Sequence, residues 1–443
     1  MRAAMELVNT VAKDRYLENL LRGQPPASPL GWLNQIRAAA TECANALTVP
    51  STRDEEWRFT DPSPLLKFSF QPARGAQRLA QADIQHFVIP EASSDRLVFI
   101  DGIYAAELST HCGNEHGILV TSLAQGLLSH GEFLQQHLAR NADFHNDVFC
   151  ALNTSFVRDG ALVIINNNVA YPAPVHLLFI ATKPETAVYP RSLVVAGPGS
   201  RCALIEEYIS LAENVYFNNA VTEVVVGENA RVQHTKVQQE SRASFHIANC
   251  AVTLANKASY ISDTVTLGAR LSRHNLHVLQ TAEGTRCTLD GLALISGRQL
   301  ADTHTYMDHA KPGGNSRQLH KCIVDDAAHA VFSGKVRVRE GAQLTDSAQT
   351  SCNLLLSDKA HVDTKPQLEI FADDVKCAHG ATVGQLDAEE VFYLRSRGLD
   401  EQGARSLLTY AFAAEIINKI PVASLVRQLR HLVMEKTQLR ERI

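Results

Sequence analysis

Cys377 and His379 stand two residues apart in the run Asp373-Asp374-Val375-Lys376-Cys377-Ala378-His379-Gly380-Ala381-Thr382-Val383-Gly384. Side chains two apart on an extended chain share a face, so thiol and imidazole point the same way. Such a pair can ligate a soft or borderline transition metal, accept sulfur or relay a proton. It cannot close a structural metal site, which needs four ligands. A site here is open, or completed by another chain. The bland alternative is a buried cysteine beside a satisfied core histidine. Position favours function: the acidic Asp373-Asp374 and the Gly380-Ala381-Thr382 turn flank the pair, and the strand-rich half of the chain ends there. A last strand leaves its edge unpaired, which is a natural place for another chain to dock.

A second cluster runs from Asp302-Thr303-His304-Thr305-Tyr306-Met307-Asp308-His309 to Gln318-Leu319-His320-Lys321. In a strand, His304, Tyr306 and Asp308 line up while His309 faces away. A hydrogen-bonded polar ladder is the favoured reading over a metal or acid–base site. Phosphate-loop chemistry is excluded, because Gly334-Lys335 is followed by Val336 and lacks the upstream glycine. No GxGxxG or GxSxG occurs either.

The elements that must position these residues change along the chain. Residues 1–80 read as a helical region, with Ser28 as N-cap, Pro29 at the first helical position, and Leu33, Ile36, Ala40, Cys43, Ala44 and Leu47 at helical spacing. Residues 81–154 are mixed, with a strand at Leu97-Val98-Phe99-Ile100. From 155 to 384, short β-branched runs follow one another: Leu162–Ile165, Val175–Ile180, Ser192–Ala196, Val221–Val226, Tyr260–Leu267 and Leu276–Leu279. Turn-then-strand units marked by Arg201, Ala230, Ala258 and Arg286 recur at intervals of 29, 28 and 28 residues. That period predicts a stacked β-solenoid, or parallel β-helix, in which each coil buries its inward face only against its neighbours. A β-sandwich would need hairpin turns every 8–12 residues or so, and those signals are missing. Residues 385–443 form a helical domain: Leu408, Phe412, Ile416 and Ile420 precede Pro421, and Val422, Leu425, Val426, Leu429, Leu432 and Val433 follow it. These helices either cap the solenoid or offer an apolar face to a partner.

A net charge of −5 gives no reason to expect nucleic acid or an anionic membrane as partner. Nine scattered cysteines form no CxxC pair and no disulfide framework, which fits a reduced, cytoplasmic setting. No signal peptide or membrane span is expected.

The Asp373–Gly384 run, the following Glu390-Val391-Phe392-Tyr393-Leu394-Arg395-Ser396-Arg397-Gly398 and the Asp302–Lys321 segment together resemble the SufB/SufD family of the SUF iron–sulfur cluster assembly system. Lys376-Cys377-Ala378-His379-Gly380 is similar to the SufD form, since SufB carries a glutamate after the histidine where this chain has Gly380. Residues 1–80 match more loosely. The resemblance implies a right-handed parallel β-helix with flanking helical regions. It implies a non-catalytic scaffold that pairs with SufB through the end of the β-helix and binds the SufC ATPase through its C-terminal helices. A cysteine desulfurase and a sulfur-transfer protein are implied as indirect partners. It also implies that His379, with Cys377 beside it, ligates iron or a transient iron–sulfur cluster shared with SufB, and that the isolated chain self-pairs. Two alternatives stand beside this reading: a purely structural interaction solenoid, and a carbohydrate-active β-helix enzyme, which would need a secretory signal and grouped acids in a groove.

Overall fold

The computed structural model describes residues 16–73, 75–111 and 115–438. Its centre is a parallel β-solenoid of about 8 turns, with helices towards both termini. Each coil contributes one strand to each of two sheets. The first sheet includes, in order, Ala161–Ile165, Arg191–Ala196, Phe217–Val226, Phe245–Leu254, Leu271–Gln280, Leu300–His309, His329–Val338 and His361–Ile370. The second runs through Ala170–Ala181, Arg201–Ser210, Arg231–Gln239, Ser259–Thr266, Arg286–Ile295, Asn315–Val324, Asp346–Leu355 and Lys376–Gly384. The expected strands are all present, most of them longer than their β-branched cores.

The turn repeat is the ladder itself: Arg201 pairs with Arg231, Arg231 with Ser259, and Ser259 with Arg286. Between the sheets lies a core of alternate residues, among them Cys202, Leu204, Val224, Val252, Tyr260, Val278, Met307 and Val336. The bore is also unusually polar. Glu206 accepts from Thr222 Oγ1 at 3.1 Å and meets His234 Nε2 at 2.9 Å. Lys236 Nζ lies 3.2 Å from His246 Nε2 and 3.3 Å from His274 Nδ1. Burial raises the pKa of Glu206, but His234 and Lys236 outweigh it and hold the carboxylate down at about 2.

The flanking helices cover the outer faces. Gly31–Ala46 and Val148–Ser155 pack together, and Ala40, Ala44 and Ala151 bury against Val221 and Ala251 of the first sheet. The first helix begins later than expected. Ser28 caps nothing there; its N–H donates to Asn34 Oδ1 at 2.8 Å and its carbonyl accepts from Asn34 Nδ2 at 2.7 Å, and the helix starts at Gly31 behind Leu30. The strand expected at 97–100 is Arg96–Ile100, which joins the second sheet beside Ala170–Ala181.

Three C-terminal helices follow, Ala388–Ser396, Glu401–Ile417 and Ala423–Gln438, and the last two lie along the outer face of the second sheet. The stripe of Ile416, Ile420, Leu425, Leu429 and Val433 is spent on Ile205, Val237, Val265, Leu292 and Ile323. That stripe covers the solenoid, one of the two roles expected of it. Among the described residues, no helix is long and apolar enough to cross a membrane.

Candidate functional site at the last coil

Lys376–Gly384 is the final strand of the second sheet, paired on one side with Asp346–Leu355. Its register fixes what Cys377 and His379 face. Cys377 ends the column Cys202, Val232, Tyr260, Cys287, Ser316, Ser347. His379 ends the column Leu204, His234, Ser262, Leu289, Gln318, Gln349. Both columns point into the bore, because every earlier member of each is buried or nearly so. At the last rung no further strand among the described residues pairs above them. Cys377 is half-buried against Ser347 and the solenoid core, while His379 is exposed. The two side chains therefore share a face, as the two-residue spacing requires.

Burial pushes the Cys377 thiol above its ordinary pKa, so at neutral pH it is protonated and a weak nucleophile until a cation approaches. Among the described residues, neither Cys377 nor His379 joins a group of three convergent metal-ligating atoms. The chemistry available is that of a half-site. A Cβ placed on Gly380, which faces the opposite side of this strand from His379, would meet no atom within 4 Å.

The surroundings of the pair are edges. His361–Ile370 closes the first sheet with one free side, and Ile370, Phe371 and Val383 are exposed apolar residues at this end. Farther along, Phe392 is 72% and Tyr393 is 56% exposed on the short helix Ala388–Ser396.

The His304 cluster falls elsewhere. His304, Tyr306 and Asp308 lie on the outer face of the first sheet, and His309 on the inner one, where its ring meets Gln280 Oε1 at 2.6 Å and Ser316 Oγ at 3.0 Å. His304 is held between Asp302 at 3.0 Å and Glu56 at 3.4 Å, and Asp302 also pairs with Arg273 at 2.6 Å. His304 and Tyr306 help line an open cavity of about 730 Å³, together with Glu56 and Trp57 of the N-terminal segment. Asp308 instead binds Arg339. His304, Asp308 and His309 are thus each held by polar partners, as a hydrogen-bonded ladder requires.

Sequence reading missed the charged bore. Its signal was present, since Glu206 and Tyr208, and His234 and Lys236, alternate on inward positions of Arg201–Ser210 and Arg231–Gln239, just beyond the turn markers Arg201 and Ala230. Of the nine cysteines, the eight described are free, and Cys150, Cys202, Cys250, Cys287 and Cys322 are buried; Cys112 lies outside the described residues.

Two family models match most of the chain: the SufBD core domain of SUF-system iron–sulfur cluster assembly at residues 179–412, and the SufBD N-terminal region at residues 27–177. The chain belongs to the SufBD family. An iron–sulfur cluster assembly SufBD family protein of Synechocystis sp. is 44% identical over 90% of this chain and 90% of its own length. The iron–sulfur cluster assembly protein SufD of Escherichia coli is 34% identical over 86% of this chain and 88% of its own. SufD of Bacillus subtilis is 26% identical over 92% and 94%. Family membership assigns the chain a role in SUF iron–sulfur cluster assembly.

Proposed function

We propose that this chain is a cytoplasmic, non-catalytic scaffold subunit that pairs with SufB through its last coil and binds the SufC ATPase through its C-terminal helical region. His379, with Cys377 beside it, takes part in holding iron or a nascent iron–sulfur cluster as cargo. One observation carries this reading: the last rung leaves two strand edges unpaired and sets an imidazole and a thiol side by side at the open end of the bore. A partner strand docking on either edge supplies the remaining ligands and lowers the thiol pKa if it brings positive charge or metal.

The C-terminal contact is expected at Phe392 and Tyr393, since the long helices already cover the second sheet. Deleting residues 388–443 would strip Ile205, Val237 and Val265 of their cover, so it confounds binding with folding. Replacing both aromatics by alanine is the cleaner test.

The deciding experiment is anaerobic affinity purification of the tagged chain co-expressed with SufB and SufC, wild type beside His379→Ala. Both should recover all subunits, with iron and sulfide lost only from the variant. Equal iron and sulfide in the two removes the ligand role. Failure of the wild type to recover either partner removes the scaffold reading.

A further inference from the structure

Along the outer face of the first sheet, Phe217, Phe245, Leu271, Leu300, His329 and His361 stack in register. The first three are buried beneath an N-terminal aromatic cluster that includes Trp57 and Phe70, with Leu300 partly covered. The last two rungs turn from hydrocarbon to imidazole. Asp363, two residues beyond His361, shares that face. Its Oδ2 lies 2.8 Å from His329 Nε2 and 3.2 Å from His361 Nε2. One donor atom from each of the three residues lies within 4.8 Å of the others.

We propose that His329, His361 and Asp363 bind a divalent first-row transition-metal ion. Metal–ligand bonds of roughly 2.0–2.2 Å place neighbouring ligand atoms about 3 Å apart, which the two carboxylate–imidazole distances already match. Two imidazoles and one carboxylate suit zinc, iron(II), cobalt(II) or nickel(II), whereas magnesium and calcium favour all-oxygen shells. His329 and Asp363 side chains are each 25% exposed and that of His361 is 64% exposed, so an ion can enter and keep water on its open positions. His329 belongs to the coil before the last and the other two ligands to the last coil. A bound ion is therefore a clip across the two coils. It lies on the first sheet, whereas Cys377 and His379 lie on the second, and it does not depend on their role.

The test is anaerobic titration of the full-length chain with Co²⁺, read by its visible ligand-field absorption, followed by competition with Zn²⁺ and with Mg²⁺. Wild type should bind about one equivalent, yield it to Zn²⁺ but not to Mg²⁺, and melt at higher temperature when loaded. Asp363→Asn and His361→Gln, each with an unchanged far-ultraviolet circular dichroism spectrum, should weaken binding beyond the roughly tenfold to hundredfold loss that follows removal of a mere supporting partner. A Cys377→Ser, His379→Ala double variant should keep the signal. No Co²⁺ absorption in wild type at millimolar metal, or a signal that survives both ligand variants, overturns the assignment. So does a signal lost only in the double variant.

Discussion

At its first end the solenoid is finished off, and at its last end it is left open. The second sheet begins with a two-residue antiparallel strand, Ile103–Tyr104, against Arg96–Ile100, and the first with the short antiparallel strand Ile118–Ser122 against Ala161–Ile165. Short terminal strands with buried side chains are a common way to blunt an edge, and Ile118 and Val120 are almost wholly inaccessible. The last coil instead ends on two long parallel strands, His361–Ile370 and Lys376–Gly384, whose residues are mostly intermediate or exposed. One chain thus shows both outcomes of the edge problem. The difference teaches that the same fold has the means to close an end yet leaves this one with unpaired edges among the described residues, as the proposed pairing requires.

The comparison can be broken from the closed side first. Beside the first end, Arg191 pairs with Glu223 at 2.6 Å with both side chains fully buried, and Glu223 also accepts from the N–H groups of Ala139, Arg140 and Asn141. Glu223→Ala leaves a buried guanidinium and several backbone donors unmatched, so it should cost roughly 3–5 kcal/mol. Urea unfolding of the isolated chain checks this; a loss below about 1 kcal/mol, the median for surface pairs, would mean that water reaches this pair.

Acid acts next, on the interior beneath the open end. Burial pushes His309 down to about 4 from an ordinary value of 6.5. Between those values the unfolded chain binds a proton there that the folded chain refuses, so stability rises with pH across the window and falls as pH drops from 6.5 towards 4. The loss from this residue is about 3 kcal/mol. Urea midpoints at pH 7 and pH 4.5 should differ accordingly, and His309→Gln, which can still bond Gln280 or Ser316, should flatten the dependence. An unaltered slope in that variant would assign the effect to other buried histidines such as His320, which is held at about 3 by burial.

The smallest effect on stability should come from the open edge itself. Val383 is 52% exposed, so Val383→Lys should change the unfolding free energy by no more than about 0.5 kcal/mol. A charge on an unpaired edge nevertheless opposes strand docking. Sedimentation of the isolated chain should show self-association weakened in this variant, and co-purification with SufB should fall in parallel. Unchanged association in both would move the interface away from this strand.

The solenoid was legible because its repeat is written in turns. Arg201, Ala230, Ala258 and Arg286 mark positions within one residue of true ladder partners. The shared face of Cys377 and His379 was legible for the same reason, since alternation in a strand needs no tertiary information. Other features depend on contacts far apart in the chain. Arg96–Ile100 reaches the second sheet only by pairing with Ala170–Ala181. The Ser28 cap was lost because its hydroxyl accepts from the Leu30 N–H while its backbone bonds Asn34, a local turn that propensity does not rank. Glu206 and Lys236 violate the rule that inward means apolar, and only their buried partners make the violation stable. His329 and Asp363 meet because one coil lies on the next, and no motif spans them.

The ladder also has a consequence of parity. Coil length varies along the first sheet, with the step from Phe245 to Leu271 the shortest and that from His329 to His361 the longest of the paired coils between Phe217 and His361. Turns absorb that variation without disturbing what faces inward. A shift of Lys376–Gly384 by one residue against Asp346–Leu355 would do the opposite and exchange odd positions for even ones. Lys376 and Ala378 would then look into the bore, and Cys377 and His379 out over the flank. The chemistry of the open end thus rests on an odd–even count that the turns are free to ignore and the strands are not.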